Sequence, residues 1–124
     1  MSGDNFLIDT NIIIYLTQGR LKISDFASKN DYLYISSITY MEALGYPFPN
    51  RAEEQTTIEL CDMFERIFLT KDIEKQTIFI RKSNKIKLPD AIIAATAMVY
   101  NLTLVTHNSD DFKNIPSLKF LNPF

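Results

Sequence analysis

Five carboxylates stand where catalysis could use them: Asp9, Glu42, Asp90, Asp110 and Asp111. Asp9 directly follows the apolar run Phe6-Leu7-Ile8. Glu42 lies in a helical stretch just after a second strand-like run, Tyr32-Leu33-Tyr34-Ile35. Asp90 opens the long apolar stretch 89–100, and Asp110 and Asp111 follow the strand-like run 102–106 after a short turn. Carboxylates brought together repel one another and lose hydration, which is costly unless a cation sits among them. Hard oxygen donors with few imidazoles or thiols nearby select Mg²⁺ or Mn²⁺ over zinc. Such a site can acidify a bound water and stabilise the charge of an in-line attack on a phosphodiester.

Each acid also has a structural explanation. Asp9 is a favoured N-cap for the helix that follows it. Thr39-Tyr40-Met41-Glu42 has the capping-box spacing. Asp90, beside Pro89 at a helix start, complements the helix dipole. Asn108-Ser109-Asp110-Asp111 has the composition of a turn. What favours a shared site is that all these acids fall where a parallel sheet would place a ligand.

Other chemistries find little material. With one histidine, His107, an acid–base histidine pair is excluded; the ring can contact a phosphate or protonate a leaving oxygen, or simply be partly exposed without a catalytic role. No Gly-x-Ser-x-Gly elbow occurs, and three glycines in the whole chain leave no phosphate-binding glycine loop. The basic stretch 81–87 either complements a helix end or guides a phosphate backbone, to which Arg20 and Lys22 could add. Tyr40, Tyr46 and Phe48 offer surfaces for stacking unpaired bases or for packing in a core or dimer contact.

Alternating strands and helices must hold these residues. Strands are expected at 6–8, 31–36, 67–70, 102–106 and 118–121. Helices are expected at 11–16, over a short segment around Leu21, Ile23, Phe26 and Ala27, and at 39–44, the last stopped by Gly45 and Pro47. From Arg51 one face gathers Ile58, Cys61 and Phe64; Ile73, Thr77 and Ile80 mark another helix. The stretch 89–100 is apolar almost all round and should be central. Segment 47–50 reads as a loop within the domain. This order implies an α/β fold, a three-layer α/β/α sandwich around a mostly parallel sheet.

A length of 124 residues suits one domain, 1–124, and 46% hydrophobic with 23% charged residues is a globular balance. Apolar runs stop short of the roughly 20 residues a membrane span needs. The lone Cys61 fits a reducing compartment, so a cytoplasmic location and no membrane are expected. A net charge of −2 is not that of a protein gripping nucleic acid by bulk charge; phosphate would have to be met by a bound cation and a local basic patch.

Four segments, in order and over nearly the whole chain, resemble the successive motifs of PIN-domain proteins, in particular the VapC-type toxins of bacterial toxin–antitoxin pairs. They are Leu7-Ile8-Asp9-Thr10-Asn11-Ile12, Ser37-Ile38-Thr39-Tyr40-Met41-Glu42-Ala43-Leu44-Gly45, Leu88-Pro89-Asp90-Ala91-Ile92-Ile93-Ala94-Ala95-Thr96-Ala97, and Leu104-Val105-Thr106-His107-Asn108-Ser109-Asp110-Asp111-Phe112. The resemblance implies an Mg²⁺- or Mn²⁺-dependent endoribonuclease acting on RNA, with a cognate antitoxin and a homodimeric state. By position, it makes Asp9 and Asp90 the main metal ligands, with Glu42 completing the acidic site directly or through water. It makes Thr10 or Asn11 the hydrogen-bond partner of the first carboxylate, with Thr106 and Asn108 in support. Where the family pattern often carries Asp, this chain has Asn108, so Asp111, Asp110 and Asn108 all remain candidates to complete the site; Phe112 is expected to anchor the turn. Two other readings stand beside it. One is a catalytically inactive PIN-like module that binds RNA or protein. The other is a phosphate-transfer receiver, disfavoured by Glu42 after the second strand and by the want of a lysine after a late one.

Overall fold

The computed structural model describes residues 3–124. The elements, in order, are β1 (Asn5–Ile8), α1 (Thr10–Thr17), a 3-10 turn (Ile23–Asp25), β2 (Tyr32–Ser36), α2 (Ser37–Leu44) and α3 (Arg51–Asp62). There follow β3 (Glu65–Ile67), α4 (Lys71–Ser83), α5 (Leu88–Val99), β4 (Thr103–Val105), α6 (Ser109–Phe112) and β5 (Phe120–Leu121). The strands form one sheet in the order β3-β2-β1-β4-β5, every pairing parallel.

Side-chain alternation along the strands splits the core into two layers. On β1, Leu7 faces a cluster that holds Leu104 of β4, Ile73 and Ile80 of α4, and Ala91, Ile93 and Ala94 of α5. Phe6 and Ile8 face the opposite cluster, with Ile35, Val105, Ile12 and Ile13 of α1, Cys61 and Phe64. The result is helix, sheet, helix: the expected three-layer sandwich. Residues 91–97 of α5 are all buried, which explains why the helix carries no polar face there.

Boundaries differ from expectation where a partner element, not local propensity, sets them. The helix expected around residues 21–27 is only the 3-10 turn Ile23–Asp25, closed by Lys22 N donating to Asp25 Oδ2 at 2.9 Å. The strand expected at 67–70 lies at Glu65–Ile67, because its partner β2 ends at Ser36, opposite Ile67. Phe68 and Leu69 therefore fall outside the sheet, exposed. On α3 the buried positions are Thr57 and Cys61, with Ile58 at the rim of the core. Helix α2 starts at Ser37, capped by Ser36, whose Oγ accepts from Ile38 N at 3.1 Å. Helix α5 ends without a glycine. Asn101 takes φ +55°, and Leu102 N and Asn101 N reach back to Ala97 O and Met98 O at 2.8 and 3.3 Å. That double closure reverses the chain directly into β4.

Strand order fixes where a ligand can sit. From β1 the chain runs outward to β2 and β3, then returns across the sheet to β4 and β5 on the other side of β1. The crevice at the carboxyl ends of β1 and β4 is the topological switch point, where connections leave in opposite directions. Among the described residues no helix is long and apolar enough to cross a membrane.

Packing of α5 on the sheet should carry much of the stability. Ile93, wholly buried, is the test position. Ile93→Ala is expected to lower the unfolding free energy by about 2–5 kcal/mol in urea titrations, with the denaturant slope unchanged.

Candidate active site at the sheet switch point

Asp9 is the first residue past β1 and the N-cap of α1, with extended backbone (φ −72°, ψ 157°). Its own N–H donates to Val105 O at 2.9 Å, so the β1–β4 ladder continues through it and fixes its position against β4. The side chain is buried, 3% exposed. Oδ1 accepts from Thr10 N at 2.8 Å; Oδ2 accepts from Thr106 Oγ1 at 2.7 Å and from Asn11 Nδ2 at 3.2 Å. Asp9 is thus a helix cap by position, yet its carboxylate is turned into the crevice rather than onto the second or third helical amide. Burial pushes its pKa from 3.8 up to about 6; the bonds from Thr106 and Thr10 oppose the rise, and the charges of Asp90 and Glu42 add to it.

A hydrogen-bond web locks the fourth motif to the first. Thr106, fully buried, accepts from Asn108 N at 3.0 Å while donating to Asp9. Asn11 accepts from His107 N at 3.1 Å through its Oδ1 and reaches Asp9 through its Nδ2. Both Thr10 and Asn11 therefore hold Asp9, Thr10 by its backbone amide. The Thr10 hydroxyl goes elsewhere: it lies 2.7 Å from Glu42 Oε1 and 3.1 Å from Thr39 Oγ1. The capping box suggested by Thr39 and Glu42 does not form. Ser36 caps α2, and both residues lie within the helix, one turn apart.

Asp90 sits in the first turn of α5, half-buried, and no hydrogen bond reaches its carboxylate among the described residues. Burial raises its pKa, the charges of Asp111 and then Glu42 raise it further, and Lys87 opposes them. Asp111 therefore faces Asp90 from the exposed turn α6, which Phe112 pins by complete burial. Asp110 pairs instead with Lys113 at 3.3 Å, outside this group. Asn108 enters through its backbone: its amide bonds Thr106 and its carbonyl accepts from Asp111 N at 3.0 Å.

The structure brings Asp9, Glu42, Asp90 and Asp111 into one electrostatic neighbourhood at the switch point. Among the described residues the only ion pair within 4 Å is Lys113–Asp110, so none of the four has a direct cationic partner. Nor do any three acidic, imidazole or thiol side chains there already close into a coordination sphere. Asp9 is held rigidly by three donors, whereas Asp90 is held by none. The donor set is all oxygen and all carboxylate, which fits a hard divalent cation.

Around this centre, the structure adds features that local sequence patterns did not single out. A groove of about 490 Å³ between α1, α2 and α3 is lined by Ile13, Ile14, Ala43, Tyr46 and Phe48 and reaches Glu42. Tyr15, His107 and Phe124 form an edge-to-face cluster with ring centroids 4.6–5.4 Å apart. Tyr40 does not lie free for stacking: the Arg66 guanidinium covers its ring at 3.4 Å. Of the basic stretch, Arg81 and Lys82 close the last turn of α4, and Lys87 is the cation that acts on Asp90.

Known proteins are similar to this chain in sequence and in fold. Ribonuclease VapC1 of Haemophilus influenzae (strain R2866) is 32% identical over 127 residues, spanning 93% of this chain and 95% of that protein. A toxin–antitoxin complex from Klebsiella pneumoniae superposes with a TM-score of 0.78 at 34% identity, covering 95% of this chain and 97% of that one. VapBC2 from Rickettsia felis, bound to a DNA fragment from its promoter, gives 0.83 at 26% identity over 95% and 98%. The PIN domain family model matches residues 6–118, and with that span of the fold and all four acidic positions inside it, this chain belongs to the PIN-domain family.

Proposed function

We propose that the chain is a divalent-metal-dependent endoribonuclease, the toxin of a toxin–antitoxin pair, with its reaction centre at the β1/β4 switch point. The observation that carries this reading is the buried Asp9 carboxylate, raised to about 6 and surrounded by Glu42 and Asp90 without a direct cationic partner. Burial of an acid with like charges nearby is an unfavourable feature in a merely structural site and a useful one where a cation is to be held. Asp9 and Asp90 are the proposed ligands, with Glu42 completing the acidic set directly or through water, and Asp111 entering from α6. A bound Mg²⁺ or Mn²⁺ would supply an acidified water and neutralise charge on the phosphate. The protein's own part is positioning. Thr106, Asn11 and the Thr10 amide fix Asp9, and Thr10 Oγ1 fixes Glu42. Lys87, beside Asp90, offers positive charge to an RNA backbone in a chain of net charge −2.

The ribonuclease names of the similar proteins and the antitoxin-bound state of the similar structures support the substrate and partner classes in this reading. A protein partner that fills the α1–α2–α3 groove would bury its apolar lining and stand at Glu42. A homodimer and a cytoplasmic site of action, where RNA is available, belong to the same proposal.

Discrete cuts are expected when wild type meets a mixed pool of structured RNA with Mn²⁺, and chelator should abolish them. Asp90→Asn, folded as judged by circular dichroism, should lose more than the roughly 100-fold typical when only a hydrogen-bonded neighbour of a ligand is removed. Equal cleavage by the two proteins would sink the assignment and return the binding-module reading.

Linkage supplies a second, activity-free test. In the metal-free protein Asp9 holds its proton from about pH 4, where the unfolded chain releases it, to about pH 6. Stability from this group is therefore present below pH 4 and lost as pH rises to 6, about 3 kcal/mol in all. Asp9→Asn should reduce the slope of that segment of the stability profile, leaving the smaller share of Asp90, and match or exceed wild type at pH 7.5. Added Mn²⁺ should raise the wild-type melting temperature more at pH 7.5 than at pH 5, because the ligands must be deprotonated, and should leave Asp9→Asn unmoved. A wild-type profile flat between pH 4 and 6 would contradict the buried-acid account.

A further inference from the structure

Most helical threonines in this chain share one habit. Thr56, Thr57, Thr77 and Thr96 donate their hydroxyl protons to the carbonyl four residues earlier, at 2.7–2.9 Å. Thr39 cannot follow them, because its i−4 residue, Ile35, belongs to β2 rather than to the helix. It is nevertheless fully buried, so its hydroxyl must find another partner. The only one among the described residues is Thr10 Oγ1, 29 positions away in sequence, at 3.1 Å.

That contact has a direction. Thr10 Oγ1 also lies 2.7 Å from Glu42 Oε1, and an ionised carboxylate can only accept. A hydroxyl carries one proton, so the Thr10 proton goes to Glu42 and the Thr39 proton goes to Thr10. A two-step chain results, from Thr39 to Thr10 to Glu42, each bond polarising the next. It supplies the sole side-chain hydrogen bond to Glu42 among the described residues. Thr10 also grips Asp9 Oδ1 through its backbone amide, so one residue sets both carboxylates.

We infer that Thr39 is a positioning residue: through Thr10 it orients the Glu42 carboxylate toward Asp9 and Asp90. As a contribution to cation binding this rests on the metal reading above; as a statement about Glu42 it stands alone. Substituting valine keeps the volume of Thr39 and deletes the proton; serine keeps the proton.

The metal-free protein, labelled with ¹³C at glutamate, gives the first readout at pH 7.5. The Glu42 ¹³Cδ resonance, assigned by its absence in Glu42→Gln, should move furthest in Thr10→Val, in the same direction but less far in Thr39→Val, and stay at the wild-type position in Thr39→Ser. Calorimetry with Mn²⁺ should then show affinity about 10–100-fold weaker in Thr39→Val, recovered in Thr39→Ser, with no further loss when Thr39→Val is added to Glu42→Gln. A stationary Glu42 resonance in a folded Thr39→Val protein overturns the inference, as does an equal affinity loss in the Glu42→Gln background. Should Thr39→Val not fold, Thr39→Ala deletes the same hydroxyl and decides it. Absence of Mn²⁺ uptake by wild type would remove the metal reading alone, since the resonance still decides the relay.

Discussion

A buried carboxylate at the end of the first strand is the constraint on which the site depends. Asp9 is taken out of water because β1 is central in the sheet and α1 begins immediately after it. Removing a carboxylate from water is expensive, and the three hydrogen bonds it accepts return only part of that cost. The residues that return it come from both sides of the switch point: Thr10 and Asn11 from α1, Thr106 from the end of β4. Parallel register makes this possible. Ile8 pairs with Val105, and Asp9 N continues the ladder to Val105 O, so Thr106 arrives beside Asp9 across 97 residues of chain.

Once Asp9 is fixed, the rest of the site follows by how firmly each acid is tied. Glu42 is tethered by a hydroxyl, Asp90 by nothing but its place in a rigid helix, and Asp111 by a single short turn anchored on Phe112. On the proposed reading, this gradient from rigid to free would let the acids close around a cation. Like charges that converged fully without a cation would cost stability.

Much of this was legible from residue types, because the strongest signals are local. The runs 6–8 and 102–106 read as buried strands, 89–100 as a buried helix, and the acids at the ends of those strands and the start of that helix as the ligand edge. Errors arose where a partner decides. Strand β3 stops at Ile67 because β2 stops at Ser36, a fact of pairing that no window over 65–70 contains. Thr39 and Glu42 have capping-box spacing, but the N-cap of the helix lies three residues earlier at Ser36, and both side chains answer to Thr10 instead. Thr10 itself was expected to serve the first carboxylate; its amide does, and its hydroxyl serves the second. Spacing along one segment locates an acid on an edge, whereas the aim of a hydroxyl depends on two helices meeting.

Net charge takes on a different meaning once the site is in place. An acidic protein with four carboxylates around a crevice repels phosphate there, and Lys87 alone does not reverse that field. A divalent cation would reverse it, since the largest local charge in such a site is the ion's own. Metal and RNA would then bind with positive coupling, each favouring the other by neutralising what opposes it. Bulk charge near zero leaves non-specific attraction to nucleic acid weak, so affinity would concentrate at the one place where a cation changed the sign. On this view the acidic cluster and the mild overall charge are parts of one arrangement. On the proposed reading, carboxylates that repel one another without a cation would also make the engagement of a phosphodiester conditional on one.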